Sequence, residues 1–172
     1  MVVLALDLAS TTGFAVGAPG TVPVSGSVRF ASQGSSHEAV FAAALKWMSD
    51  TMAKYDPSTV VWEAPLPTTF KRGLTNVGTT TLLYGLPAVI GACSYLKGVY
   101  DIRKASPRDV RLHFIGCCPP RKSAKTMTMK RCRDLGWPVG DDNEADALAL
   151  WSFMCTIIDP SQAKLLLHRA RR

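Results

Sequence analysis

Residues 2–17 read VVLALDLASTTGFAVG, and the interpretation of the whole chain starts from them. Val2 to Leu6 form an apolar run rich in β-branched residues, which is typical of a buried central strand. A polar turn from Ser10 to Gly13 follows, and Phe14 to Val16 begin a second apolar strand, so the stretch predicts a β-hairpin. Asp7 lies where the first strand ends. A carboxylate there either caps its own turn or belongs to a site whose cation compensates its charge.

A second buried run also ends in a carboxylate. Thr59 to Trp62 are followed by Glu63, and two prolines then interrupt the strand. This repetition suggests that Asp7 and Glu63 lie at one edge of a common sheet. Residues 21–31 alternate in polarity and predict a third strand, so the chain opens with an antiparallel meander.

The stretch 141–151 reads DDNEADALALW and predicts a helix headed by acids. Acids in a first helical turn are ordinarily explained by the helix macrodipole and by capping. Asp146 differs, because it lies inside the helix beside small alanines that would let it approach a sheet. Asp142 and Asn143 precede it on the same face, whereas Glu144 is expected to face solvent. Asp146 is therefore a third candidate site acid, with a purely structural acid as the alternative.

The remaining elements are predicted from periodicity and from capping residues. In chain order they are a helix capped by Ser36 and ended by Asp56, an apolar helix from 75 or 76 to Tyr95, a strand from Val99 to Lys104, a short helix from Ser106 to Gly116, a loop at 117–122 and a basic helix from about Ser123 to Leu135. Pro87 should kink or divide the apolar helix. That helix is apolar on most faces, so it is either central or part of an interface, and we favour a homodimer contact.

The basic residues are concentrated in one part of the chain. Lys and Arg number 20 against 13 Asp and Glu, and ten of the basic residues lie between 103 and 134, opposed only by Asp109 and Asp134. A solvated face is the ordinary explanation, but this one-sidedness favours contact with phosphates. The candidate phosphate-binding residues of this segment are Arg108, Arg111, Arg121, Lys122 and Lys125, although charge alone does not separate DNA, RNA and membrane surfaces.

A second candidate DNA contact lies in the segment 66–76. Phe70 is followed there by Lys71 and Arg72. An aromatic ring beside two cations suits stacking on an unpaired base together with phosphate contact. The alternative is a loop aromatic packed onto the domain surface.

Composition predicts a globular protein. With 172 residues, 47% apolar, we expect one domain over 1–158 and a basic tail over 159–172. The five cysteines show no CxxC pair, which suits reduced thiols in a cytoplasmic compartment. We find no signal-peptide pattern, and the apolar runs are expected to be shorter than a membrane span.

Clustered carboxylates indicate a metal site, because hard oxygen donors suit Mg²⁺ or Mn²⁺ and would repel one another without a cation. Two such ions about 4 Å apart can activate a water and stabilise the leaving oxygen in phosphodiester hydrolysis. The basic segment and the loop around Phe70 would then bind the nucleic acid.

The strand LALDLAS with the following TTGFAV, then VVWEAP, then DDNEADALAL, resembles the motifs of RuvC-like Holliday junction resolvases, most closely their bacteriophage-type members. The resemblance extends in order and spacing to about residue 155. It implies an α/β, ribonuclease H-like fold whose five-stranded mixed sheet has three antiparallel and then two parallel strands, flanked by helices. It also implies a homodimeric crossover junction endodeoxyribonuclease that nicks four-way DNA junctions with Mg²⁺ or Mn²⁺, two ions per active site.

By position, the resemblance assigns the first, second and last acids of the family to Asp7, Glu63 and Asp146. The family commonly has Asp or His three residues before the last acid, where this chain has Asn143. Either Asn143 or Asp142 then supplies the fourth catalytic and metal-binding position.

The resemblance also bears on the DNA contacts. It places Phe70 where resolvases have an aromatic after the second acid, and it places Lys122 and Lys125 among the basic residues before the last helix. One of these lysines is assigned to the scissile phosphate.

Two other functions are compatible with the same residues. One is a ribonuclease H-type nuclease, since a fold does not fix a substrate. The other is a junction-DNA-binding protein with impaired catalysis, which Asn143 alone supports.

Overall fold

Five strands form one mixed sheet. They are β1 (Val3–Asp7), β2 (Thr11–Gly17), β3 (Val24–Arg29), β4 (Thr59–Glu63) and β5 (Asp101–Ala105). The first three strands form an antiparallel meander, β4 runs parallel to β1 and β5 runs parallel to β4, in the order β3-β2-β1-β4-β5. The predicted sheet of three antiparallel and two parallel strands is confirmed. The computed structural model describes residues 1–64 and 77–161.

Helices cover both faces of this sheet. Within the described ranges they are α1 (His37–Tyr55), α2 (Val77–Leu96), α3 (Pro107–Ile115), α4 (Arg121–Asp134) and α5 (Asp142–Ile158). The side chains of β1 alternate between two cores: Leu4 and Leu6 pack with α1 and α2, whereas Val3 and Ala5 pack with α3, α4 and α5. The strand that carries Asp7 is therefore buried on both faces.

Most predicted boundaries hold to within two residues. The Ser36 side chain accepts a hydrogen bond from the Ala39 amide at the start of α1, and Asp56 ends α1 in the left-handed conformation. The basic helix begins at Arg121 rather than at Ser123, directly after Pro120, whose φ of −52° is compatible with entry into a helix. Arg121 and its successor therefore lie in a helical turn and not in the predicted loop.

The apolar helix α2 is continuous through Pro87, so the proline does not divide it. Pro87 lacks an N–H, which leaves the Leu83 carbonyl without its usual helical partner, and both residues line the open cavity described below. By length and composition alone α2 could cross a membrane, with a mean hydropathy of 1.3 over its 20 residues, contrary to our expectation that the apolar runs are too short. A single helix of this kind is weak evidence, since helices of soluble cores pass the same test.

The closest contact between helix and sheet lies where α5 crosses β2. Gly13 on β2 faces the backbone of Asn143, and a Cβ atom at Gly13 would overlap with the Asn143 carbonyl and lie 2.9 Å from the Glu144 nitrogen. Further along, Trp151 Nε1 donates a hydrogen bond to the Gly17 carbonyl over 3.2 Å. The absence of a side chain at Gly13 therefore sets how near the start of α5 comes to the sheet.

We expect Gly13→Ala to lower the free energy of unfolding by about 2 kcal/mol, because the added methyl group must displace the start of α5. Urea unfolding followed by circular dichroism measures this. Gly91→Ala is the matched control: its Cβ would meet only the Trp62 ring, at 3.4 Å, and alanine is preferred inside a helix. Equal stability of the two variants would contradict the close-approach interpretation.

Candidate active site

The carboxyl ends of β1 and β4 lie side by side. Leu6 pairs with Trp62 in the parallel register, so Asp7 and Glu63 are the next residues on adjacent strands. Asp146 reaches the same place from the first half of α5. Together these three acids line one open cavity of about 700 Å³. The structure thus brings together the acids that the two strand ends and the helix contribute.

Four cationic residues of the described ranges also line this cavity, and we call them the cationic wall. Arg108 and Arg111 come from α3, and Arg121 and Lys125 come from the first turns of α4. Lys122 is exposed on α4 and is not among the lining residues. The helix start at Arg121 matters here, because it places two cations one helical turn apart on the side of α4 that faces the acids.

Burial and mutual repulsion act strongly on Asp7. Its pKa is raised from 3.8 to about 7, chiefly because burial disfavours the charged form, and then because the charges of Asp146 and Glu63 lie nearby. Lys125 and Arg121 oppose this shift only in part. The positive charges of Lys125 and Arg121 therefore do not return the pKa of Asp7 to its ordinary value.

The other two acids show the same balance. Burial, followed by the charge of Asp146, raises the pKa of Glu63 to about 7, against Arg111 and Arg121. Burial also raises the pKa of Asp146, while Lys125, Arg111 and Arg121 lower it. Strongly shifted carboxyl groups within one cleft are a frequent property of functional sites.

The two candidates for the fourth position lie in different environments. Asn143 lines the cavity. Asp142 is not among the lining residues, and its carboxylate forms an ion pair with Lys125. Lys125 therefore lies between Asp142 and the site acids, and the geometry favours Asn143 over Asp142 as the residue presented to a ligand.

The turn after β1 is closed by Thr12, a role that the sequence also allowed for Asp7. The Thr12 hydroxyl donates to the Ala9 carbonyl over 2.8 Å and accepts from the Ala9 amide over 3.3 Å. The Asp7 carboxylate is thus available to face the cavity.

The first turn of α5 shows features that sequence reasoning missed. Glu144, expected to face solvent, is partly buried: its carboxylate accepts hydrogen bonds from the Ser25 hydroxyl and the Gly140 amide, both over 2.7 Å. Nothing local in the sequence pairs β3 with this helix, since 119 residues separate Ser25 from Glu144. A glycine inside strand β2 was the one available signal of a close backbone approach.

Three predicted DNA contacts fall outside the described residues. Phe70, Lys71 and Arg72 lie in the stretch 65–76, and most of the basic tail lies in 162–172. These assignments stay predictions.

The donor set has the chemistry of a site for a hard cation. Three carboxylates and the Asn143 amide are oxygen donors, and a divalent ion would offset the burial and repulsion that raise the acid pKa values. In the part of the chain that the structure describes, no three His, Cys, Asp or Glu side chains are close enough to form a metal-binding group. The acids share a cavity without sharing one coordination sphere.

No family model matches the sequence, and no curated protein matches it. Solved structures do match the fold. The RuvC protein of T. thermophilus, in complex with a Holliday junction substrate, superposes with a TM-score of 0.72 at 15% identity, covering 94% of this chain and 97% of that one. The chain has the RuvC fold.

Two more solved structures agree. A second Thermus thermophilus RuvC structure gives a TM-score of 0.70 at 15% identity, covering 92% of this chain and 96% of that one. The yeast mitochondrial Holliday junction resolvase Ydc2 gives 0.64 at 12% identity, covering 98% of this chain and 81% of that one. The ribonuclease H-like fold predicted from the sequence is confirmed.

The raised pKa of Asp7 predicts how stability depends on pH without metal. In the unfolded chain this carboxyl ionises near pH 4, whereas in the folded chain it ionises near pH 7. The contribution of the protonated Asp7 to the free energy of unfolding is therefore fully present below pH 4 and is lost as the pH rises to 7. With EDTA present, Asp7→Asn should raise the free energy of unfolding by about 2 kcal/mol more at pH 8 than at pH 5. Urea unfolding at the two pH values measures the difference. The control is Asp50→Asn, an exposed change on α1, which should have the same small effect on the free energy of unfolding at both pH values. An effect of Asp7→Asn that does not depend on pH would count against the buried-acid interpretation.

Proposed function

We propose that this protein is a metal-dependent endonuclease that nicks four-way (Holliday) and other branched DNA junctions. The observation that carries the proposal is the cavity in which the raised-pKa acids of β1, β4 and α5 face a wall of four cations. The RuvC fold supports it, since a solved protein of that fold is in complex with a Holliday junction substrate. Fold alone would not fix the substrate, so the site has to carry the argument.

Two metal ions would be shared among Asp7, Glu63 and Asp146, with the Asn143 side chain as a further donor. When bound, two Mg²⁺ or Mn²⁺ ions supply an activated water and stabilise the oxygen that leaves in phosphodiester hydrolysis. The protein's own part is to fix these donors on two buried strand ends and one buried helix. Asp142 instead orients Lys125 through their ion pair, which keeps a cation beside the scissile phosphate.

The DNA would enter along the cationic wall. Arg108, Arg111, Arg121 and Lys125 are placed to contact phosphates next to the acids, with Lys122 further out on α4. The net charge of +7 favours such a polyanionic partner. In the segment 65–76, Phe70 would stack on an unpaired base at the junction, with Lys71 and Arg72 next to it in sequence.

We further propose a homodimer formed through α2, because nicking two strands of one junction calls for two active sites. The exposed large apolar side chains of α2 are Val77, Tyr84, Tyr95 and Leu96. The sheet side of the same helix is buried at Leu86 and Ile90. Exposed apolar residues along a 20-residue helix are typical of a protein contact.

The biological setting follows from the same reasoning. The five cysteines are free thiols, which suits the reducing cytoplasm of a bacterial or phage-infected cell. The resemblance to bacteriophage-type resolvases favours a phage origin. The domain boundary at Ile158, where α5 ends, with a basic tail beyond it, is part of this proposal.

The decisive experiment is cleavage of a labelled synthetic four-way junction beside linear duplex and an RNA–DNA hybrid, with Mg²⁺, Mn²⁺ or EDTA. We expect symmetric paired nicks in the junction alone, lost in EDTA. Asp7→Asn should abolish them while junction binding stays intact or tightens, because an acid near phosphates repels them. Asp50→Asn, exposed on α1, is the control and should cleave normally.

Each other outcome has a definite meaning. Preferential cleavage of the hybrid would support a ribonuclease H-type enzyme. Tight junction binding without cleavage in either metal would support the impaired binding protein, with Asn143→Asp as the first variant to make. Full activity of Asp7→Asn would refute the site.

Removing one cation of the wall should weaken binding in a way that depends on salt. We expect Arg121→Ala to lower junction affinity and to reduce the slope of log affinity against log salt by about 1, because one phosphate contact is lost. Fluorescence anisotropy in EDTA at several salt concentrations measures both quantities. Lys130→Ala is the control, since Lys130 lies on the same helix, is paired with Asp134 and does not line the cavity. Identical slopes in the two variants would remove Arg121 from the interface.

A further inference from the structure

Hydrogen bonds from β3 hold the first turn of α5 to the sheet. The Ser25 hydroxyl donates to Glu144 Oε1 and the Ser27 hydroxyl donates to Asp141 Oδ1, each over 2.7 Å. The same carboxylates order the helix start, because Asp141 Oδ1 accepts from the Glu144 amide over 2.9 Å and Glu144 Oε2 accepts from the Gly140 amide over 2.7 Å. We call Ser25, Ser27, Asp141 and Glu144 the β3 clamp.

The clamp is in register with the site. Asp7 pairs with Gly13, and Gly13 pairs with Ser27, so one row across three strands carries a site acid, the glycine beneath α5 and a clamp hydroxyl. Side chains two apart on a strand share a face, so Ser25 lies on the same side of the sheet as Ser27, the side that α5 covers. Any shift of the first turn of α5 along this row would change its distance from Asp7.

Along the start of α5, the acids of the β3 clamp alternate with the residues that line the cavity. Asn143 lies between the two clamp acids, and Asp146 follows two residues after Glu144; both Asn143 and Asp146 line the cavity. The charges of Asp7 and Glu63 lie close enough to that of Asp146 to shift acid pKa values. This repulsion pushes the helix start away from the strand ends, and hydroxyl-to-carboxylate hydrogen bonds hold it in place.

We propose that Ser25 and Ser27 are positioning residues for the nuclease site: through Glu144 and Asp141 they hold the first turn of α5 where Asn143 and Asp146 face Asp7 and Glu63. The two hydroxyls touch neither the DNA nor the metal in this scheme. They act on the geometry of the donor set, so their loss should weaken metal binding more than it weakens DNA binding. This inference deepens the proposed function and rests on it for its cleavage readout.

The test compares three variants of the full chain. Ser25→Ala/Ser27→Ala removes both hydroxyls, and Ser25→Thr/Ser27→Thr keeps them. Ser36→Ala is the stability control, because Ser36 caps α1 on the other face of the sheet and its loss destabilises the fold without touching α5. For each we would measure the Mn²⁺ midpoint of junction cleavage, junction affinity in EDTA, the melting temperature, and hydrogen–deuterium exchange at the amides of 141–147.

We expect the double alanine variant to raise the Mn²⁺ midpoint about tenfold, as loss of residues that orient metal ligands does elsewhere. Exchange at 141–147 should rise in metal-free protein, and junction affinity in EDTA should stay unchanged. The double threonine variant should restore the midpoint. Ser36→Ala should lower the melting temperature while leaving the midpoint and the exchange of 141–147 as in the unaltered protein.

An unchanged midpoint together with unchanged exchange in the double alanine variant would overturn the inference. So would an equal rise of the midpoint in Ser36→Ala, because that would reflect stability alone. If the unaltered protein binds no Mn²⁺ and cleaves no junction, the proposed function fails. The exchange measurement in metal-free protein then decides separately whether the serines hold the helix.

Discussion

The contact of α5 with β2 at Gly13 is the constraint on which the site depends. A carbonyl from the helix lies where any larger residue would have its Cβ, so the helix start rests on the backbone of the strand. This close approach brings Asp146 within electrostatic range of Asp7 and Glu63. Buried alanines at 145, 147 and 149 extend the same close packing along the helix. A site built from two strand ends and one helix therefore needs a small residue in the sheet where the helix crosses it.

The electrostatics of the cavity follow from that packing. Three acids are brought out of bulk water, and burial is the largest cause of the raised pKa of each. The cations of α3 and α4 lower these pKa values without restoring them, because burial outweighs their charges. The arrangement disfavours the fully ionised site and so favours a ligand that brings positive charge into it, which supports the proposed divalent metal.

The polar residues at the start of α5 divide into three roles that sequence reasoning did not fully separate. Asp141 and Glu144 bind hydroxyls of β3 and order the helix start, whereas Asn143 and Asp146 line the cavity. Asp142 has a third role as the partner of Lys125. The geometry of the α-helix explains why these residues have different partners. Successive side chains point about 100° apart around the helix axis, so a run of neighbouring acids cannot all reach one ligand.

The sequence by itself determined the sheet, the helix order and the three acids, because strand ends, caps and buried carboxylates leave local signals. Ser36 begins α1, and Asp56 and Gly116 end α1 and α3, where turn chemistry predicts. The β-branched runs that end in Asp7 and Glu63 indicate one sheet edge. Only the tertiary structure decided which neighbour of Asp146 faces the cavity, where Glu144 binds and which cations form the wall. Those outcomes depend on contacts between residues far apart in sequence, such as Ser25 and Glu144, which are 119 positions apart, and the local sequence does not show which residues will meet.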